Sequence, residues 1–298
     1  MTFTGLQNIN IMYNRNIIKI LLLLTVFFLI SNGNLSADDK KKSKKPVKKK
    51  FYVSLLSVSQ KVKAVKPDEE FYAVNTAIVE RWYPVISDIR KGNMSRQDAV
   101  DSMNRITNNL WDFMELNISK GKIRKYSDKE WVFPVKGYTP AAIGGVRGSG
   151  YISAGFDFFE QNSGGHPAHD IFIDDSNQDC LDDNTNEPVK ILSMSGGIVI
   201  ETRTNWDNSM MDIRGGNIVY IYDNFSNGLF YYAHLKEVFV KPGDFVKPGT
   251  ELGTMGRTGK NAYPSRSPTH LHIMYVRSFD GDIRPENIYN DLLNAKLY

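Results

Sequence analysis

Cysteine is almost absent from this chain. Cys180 stands alone, so no intramolecular disulfide can close the fold, and in an exported protein such a thiol is either buried or open to oxidation. Long apolar runs are few. The stretch Ile20–Ile30 near the start is shorter than the roughly 20 residues that span a bilayer. No His-Glu-x-x-His segment occurs, which argues against a helix-borne zinc site with a glutamate base. Positive charge is missing where a nucleic-acid binder would need it. The net +4 of the chain conceals +8 in residues 1–50, and residues 51–298 carry −4. The folded part therefore has no basic footprint for nucleic acid.

Histidine is also scarce, and its placement is informative. All five lie in three short segments: Gly164-Gly165-His166-Pro167-Ala168-His169-Asp170, Tyr232-Ala233-His234 and Pro268-Thr269-His270-Leu271-His272. Together they read as a zinc hydrolase. His270 and His272 are two apart on a β-prone apolar run, so both rings leave the same face of a strand, roughly 7 Å apart. That spacing suits one ring on a metal and the other on its water or the substrate. His166 and Asp170 are four apart, too far for one ion in an extended chain. Gly164, Gly165 and Pro167 supply the bend that brings them together, and Ile171-Phe172-Ile173 is the strand they feed. Two imidazoles, one carboxylate and an open position match a catalytic zinc site.

These three motifs, in this order, resemble the lysostaphin-type (LytM-like) zinc endopeptidases that cut the peptides of bacterial peptidoglycan. The resemblance runs from about Trp131 to Tyr275. It implies an all-β catalytic domain whose antiparallel sheets form a groove, with His166, Asp170 and His272 as zinc ligands and His234 and His270 as catalytic residues that do not bind the metal. One departure lies in the first motif, where Ala168 stands in place of the family's usual glycine. His169 adjoins Asp170 and competes with His166 as a ligand, but on a strand it would face away from Asp170. The resemblance implies a peptidoglycan substrate and an exported, periplasmic, cell-envelope or extracellular protein. The alternative is a non-catalytic wall-binding regulator of other hydrolases, and the presence of all five site residues speaks against it.

Residues 1–37 read as a signal peptide or N-terminal anchor, with Arg15 and Lys19 ahead of the apolar run; uncleaved, it would be the only membrane link. Residues 38–66 are a Lys-rich linker. From 67 to 130 a helical hairpin is expected. Phe71, Val74, Ile78, Trp82, Val85 and Ile89 form one stripe, Pro84 predicts a kink or early end, and a second helix starts at Ser95 with Asp98 in a weak capping box. These helices are expected to support the β-domain from behind its sheet. Residues 131–298 form that domain, with strands predicted at Gly197–Thr202, Asn217–Tyr222, Leu229–His234 and Leu252–Met255. The repeated Val240-Lys241-Pro242-Gly243 and Val246-Lys247-Pro248-Gly249 place turns around a very short strand. Finally, Asp175, Asn177 and Asp179 resemble the start of a Ca²⁺ loop, although Cys180 replaces its glycine and Asn186 its final glutamate.

Overall fold

Three named α-helices and nine strands build the domain in a computed structural model that describes residues 75, 77–160 and 164–298. All of these fall in the unit Ala64–Tyr298. The expected leader, the Lys-rich linker and the start of the first helix lie outside the described residues. Helix α1 spans Trp82–Arg90 and α2 spans Arg96–Ser119. Pro84 sits in the first turn of α1, the one place in a helix where its missing N–H costs nothing. Ser95 caps α2 as expected, its Oγ accepting from the Asp98 N–H at 3.1 Å. At the other end Gly121 takes φ +68°, and the Lys122 N–H reaches back to the Asn117 carbonyl, closing the helix.

Strands β1 (Ala168–Phe172), β3 (Gly197–Arg203), β4 (Asn217–Asp223), β5 (Gly228–Leu235), β6 (Phe245–Val246), β8 (His270–Phe279) and β9 (Asp282–Glu286) make one antiparallel sheet, in the order β1-β8-β5-β4-β3-β6. β1 pairs with the first half of β8, and β9 with its second half. β2 (Lys190–Leu192) and β7 (Glu251–Thr254) form a second, two-stranded sheet. A six-residue helix, α3 (Tyr289–Asn294), follows β9. The fold is thus the antiparallel β-domain with few helices that the strand pattern predicts. The short β6 lies between turns at Lys241–Asp244 and Lys247–Thr250, as the repeated Pro-Gly pairs imply.

Alternation along each strand sorts the core into two clusters. Val199, Val219, Ile221, Phe230, Tyr232, Leu271, Ile273 and Tyr275 face Trp131, Phe133 and the small sheet. On the other face Ile198, Ile200, Ile218, Tyr220, Leu229, Met274 and Val276 are covered by Trp82, Met103, Leu110 and Met114 of the two helices. Met274 and Val276 share their face with His272. The helices therefore lie on the same face of the sheet as the histidine motif, not behind it. Both faces of this sheet are apolar, so an amphipathic helix could not reveal its side in advance. A ladder of rings joins the helical layer to the site, with centroids 5.6 Å apart for Trp82 and Tyr220, 4.5 Å for Tyr220 and Tyr231, and 6.0 Å for Tyr231 and His272.

Candidate metal and catalytic site

The site gathers where β1, β5 and β8 lie side by side. Asp170 is the register partner of His272 across β1 and β8, and Ala233 is the partner of His272 across β5 and β8. His166 precedes β1 and reaches the cluster through the expected bend. Gly165 makes that bend at φ +77°, where an added Cβ would lie 2.7 Å from the carbonyl oxygens of both Ile152 and Ala154; only glycine fits there. His166 and Ile152 then exchange backbone hydrogen bonds of 2.6 and 2.8 Å. Ala168, the departure in the first motif, is an ordinary buried strand residue opposite Met274. Its methyl group packs into the helix-side core.

Three atoms converge. His272 Nδ1 lies 3.0 Å from Asp170 Oδ1, His166 Nε2 lies 3.2 Å from His272 Nδ1, and His166 Nε2 lies 3.3 Å from Asp170 Oδ1. Ligands about 2.0–2.1 Å from a tetrahedral zinc stand about 3.3 Å from one another, so the set fits that ion. His166 Nδ1 donates to the Gly150 carbonyl at 2.8 Å, which leaves the Nε2 lone pair for a metal. Among the described residues these three form the cluster of His, Cys, Asp and Glu able to hold an ion. Their side chains are 33, 25 and 16 % exposed for His166, Asp170 and His272, enough for substrate to reach them.

The electrostatics suit a cation. Burial by itself would raise the Asp170 carboxyl, but hydrogen bonds from His166 and His272 and the nearby imidazoles outweigh it and hold the group well below the usual carboxylate range. The same bond to Asp170 raises His166 despite its burial.

His234 and His270 complete the group, with ring centroids 4.9 Å apart. Strict alternation would send His234 to the opposite face, since Ala233 already points into the helix-side core. A β-bulge prevents this. Asn217 pairs with Leu235 and Ile218 with Ala233, so His234 is an extra residue in β5, at φ +70°. Its ring turns toward His272, 5.8 Å away between centroids. Its Nδ1 donates to the Thr258 carbonyl at 2.7 Å, as His270 Nδ1 does to the Pro268 carbonyl at 2.8 Å. Both rings are therefore N–H at Nδ1 and carry their lone pair on Nε2. Burial, followed by the neighbouring His272 and His270, pushes His234 down to about 3; burial also lowers His270.

His169 faces away from Asp170. It is buried between Tyr151 and Tyr289, with Nε2 3.0 Å from Asn287 Oδ1. The calcium reading of the 174–187 loop finds no support. Both carboxylate oxygens of Asp175 already accept, from the backbone N–H groups of Asp179 and Cys180 and from the Thr269 hydroxyl. Asn177 donates its amide to Asp179 rather than presenting oxygen to an ion. Asp182 is likewise occupied by Asn184, Thr185 and Tyr138. The oxygens that look like ligands in sequence fold the loop on itself.

The antiparallel sheet thus carries a His–Asp–His cluster with the geometry of a metal site. Residues 178–284 match peptidase family M23, a span holding His234, His270 and His272. Over part of its length the chain is thus similar to lysostaphin/LytM-type peptidases. Lysostaphin of Staphylococcus simulans is 34 % identical over 119 residues, covering 40 % of this chain and 20 % of that protein. An uncharacterized metalloprotease of Buchnera aphidicola is 35 % identical over 82 residues, covering 28 % of this chain and 18 % of the relative. The chain thus spans about a fifth of the length of the curated relatives it matches. Similar solved structures include the catalytic domain of the antimicrobial peptidase lysostaphin from Staphylococcus simulans, at 25 % identity and a TM-score of 0.32 over 44 % of this chain and 81 % of that one. A zinc containing peptidase from Vibrio cholerae is 20 % identical, with a TM-score of 0.35 over 59 % of this chain and 41 % of that one.

Proposed function

We propose that this protein is a zinc-dependent endopeptidase that hydrolyses stem peptides or peptide cross-links of bacterial peptidoglycan, working outside the cytoplasm. The observation that carries the reading is the convergence of His166 Nε2, Asp170 Oδ1 and His272 Nδ1 within 3.3 Å of one another, with two neutral histidines beside them. Those three atoms would hold the zinc, which supplies a Lewis acid and an activated water when bound.

The chain's own groups handle the protons. His234, held neutral by burial, offers its Nε2 lone pair to orient the attacking water. His270 has Asp170 Oδ1 3.8 Å from its Nε2, so of the two it is better placed to carry a positive charge: its Nε2 lone pair takes the proton that the attacking water loses and then hands that proton to the leaving amine. Each carbonyl behind Nδ1 keeps its ring in the tautomer that these roles need.

The test is digestion of purified peptidoglycan by residues 38–298, with and without chelator, followed by mass analysis of the fragments. New amino termini that vanish with chelator and return with zinc are expected. His234→Ala and His270→Ala should keep their zinc and lose about a hundredfold or more in rate. Undiminished wall binding without any cleavage would instead favour a non-catalytic regulator. Loss of zinc from either variant would make that histidine a ligand.

A further inference from the structure

Arg257 takes no part in these steps, yet it is buried, only 8 % exposed. A guanidinium away from water is costly unless its donors are met. Among the described residues no carboxylate lies within ion-pair distance of it. Its Nη1 donates to the Ser267 carbonyl at 2.6 Å and to Thr269 Oγ1 at 3.1 Å, and its Nη2 donates to the Pro264 carbonyl at 3.1 Å. Thr269 is fully buried, and its hydroxyl donates to Asp175 Oδ2 at 2.6 Å. A hydroxyl has one proton to give, so the bond with Arg257 must be accepted. The direction is therefore fixed, from guanidinium through hydroxyl to carboxylate. Asp175 is anchored in turn by the N–H groups of Asp179 and Cys180.

The middle member of this relay, Thr269, is the residue before His270. The segment it grips, Pro264 to Thr269, includes Pro268, whose carbonyl receives His270 Nδ1. The residue after Arg257 is Thr258, whose carbonyl receives His234 Nδ1. One dipeptide thus addresses both histidines that stand beside the metal cluster. A forked, planar donor can hold three acceptors in one plane, which neither lysine nor an apolar residue of similar size can do.

We propose that Arg257, Thr269 and Asp175 are positioning residues for His270. The buried relay fixes the backbone from Ser267 to His270, so that the Pro268 carbonyl locks the ring with Nδ1 protonated and Nε2 turned toward Asp170. The 174–187 loop acquires a purpose in this arrangement, because it delivers Asp175 to Thr269. The inference rests on the peptidase reading for its activity readout alone.

The experiment compares Thr269→Val, which keeps shape and removes the hydroxyl, with Thr269→Ser, which keeps the hydroxyl. Zinc content, kcat and KM are measured on the same peptidoglycan. The ring N–H signals are followed by NMR with ¹⁵N-histidine, the His270 signal being assigned by its absence in His270→Gln. The expected result for Thr269→Val is full zinc, KM within about threefold, kcat lower by about ten- to a hundredfold, the order that a small misplacement of a reacting group costs, and a His270 Nδ1–H signal lost to exchange. Thr269→Ser should restore both kcat and the signal. Should Thr269→Val not fold, Arg257→Lys carries the same expectation, since it keeps the charge and loses the fork. Wild-type kcat with an unchanged His270 signal would overturn the proposal, as would equal losses in the Ser and Val variants. If the wild-type protein cleaves nothing, the peptidase reading fails, and the ring signal still decides whether the relay sets His270.

Discussion

Alanine at His166 or at His272 is expected to empty the metal site, taking zinc from about one ion per chain to a small fraction of that and peptidoglycan cleavage with it. Each ring would supply one of the three proposed ligand atoms, and the three stand 3.0 to 3.3 Å apart. Removing one leaves two donors and a gap that water must fill. His166 has the further support of the Gly150 carbonyl on its other nitrogen, an arrangement whose loss alone commonly weakens metal affinity about ten- to a hundredfold. Metal analysis after gel filtration in metal-free buffer gives the answer. Near-stoichiometric zinc retained by both variants would sink the ligand assignment, whatever their activity.

A chain beginning at Lys122 is expected to be insoluble. It would lack both helices and expose Ile198, Ile200, Tyr220, Leu229, Met274 and Val276 on one sheet face. The helices contribute Trp82, Met103, Leu110 and Met114, all fully buried, and burying a large apolar side chain is worth about 1.5–3 kcal/mol. Four such losses come to about 6–12 kcal/mol, comparable with the whole of the roughly 5–15 kcal/mol by which a typical domain is stable. The truncation also removes direct ties to the segment ahead of the first motif. Arg90 donates to the Phe158 carbonyl at 2.8 Å, and Arg96 pairs with Asp157. A soluble truncation with a cooperative unfolding transition and cleavage at or above the full-length rate would show that the helical layer is an accessory to the β-domain.

Much of this arrangement is legible in the residues, and the parts that are not share a physical cause. His270 and His272 announce a common face through their period of two, and the Gly165 bend follows from an interval too long for one ion. Ser95 and Asp98 mark a helix start because an N-cap needs only local chemistry. The aim of His234 is different. Counting along β5 alone puts it on the wrong face, and the bulge exists only through the pairing with Asn217 and Ile218. The carbonyls of Gly150, Thr258 and Pro268, which set three of the rings, are backbone atoms that any residue would carry. The 174–187 loop misleads because an aspartate that folds a turn and one that binds an ion are the same letter.

The bulge at His234 splits strand β5 into two phases. Residues up to Ala233 alternate in one, Leu235 belongs to the other, and His234 occupies the seam. Deleting this one residue would merge the phases, because Ala233 and Leu235 would then point to the opposite faces they already occupy. The sheet would become more regular, and a left-handed backbone that costs a non-glycine residue roughly 1–2 kcal/mol would disappear. The residue is thus an interpolation that the architecture does not need. A chain without His234 is expected to unfold in a single cooperative transition, within a few degrees of the full sequence, and to cleave nothing. A collapse of the sheet on this deletion would mean that the irregular seam is structural after all.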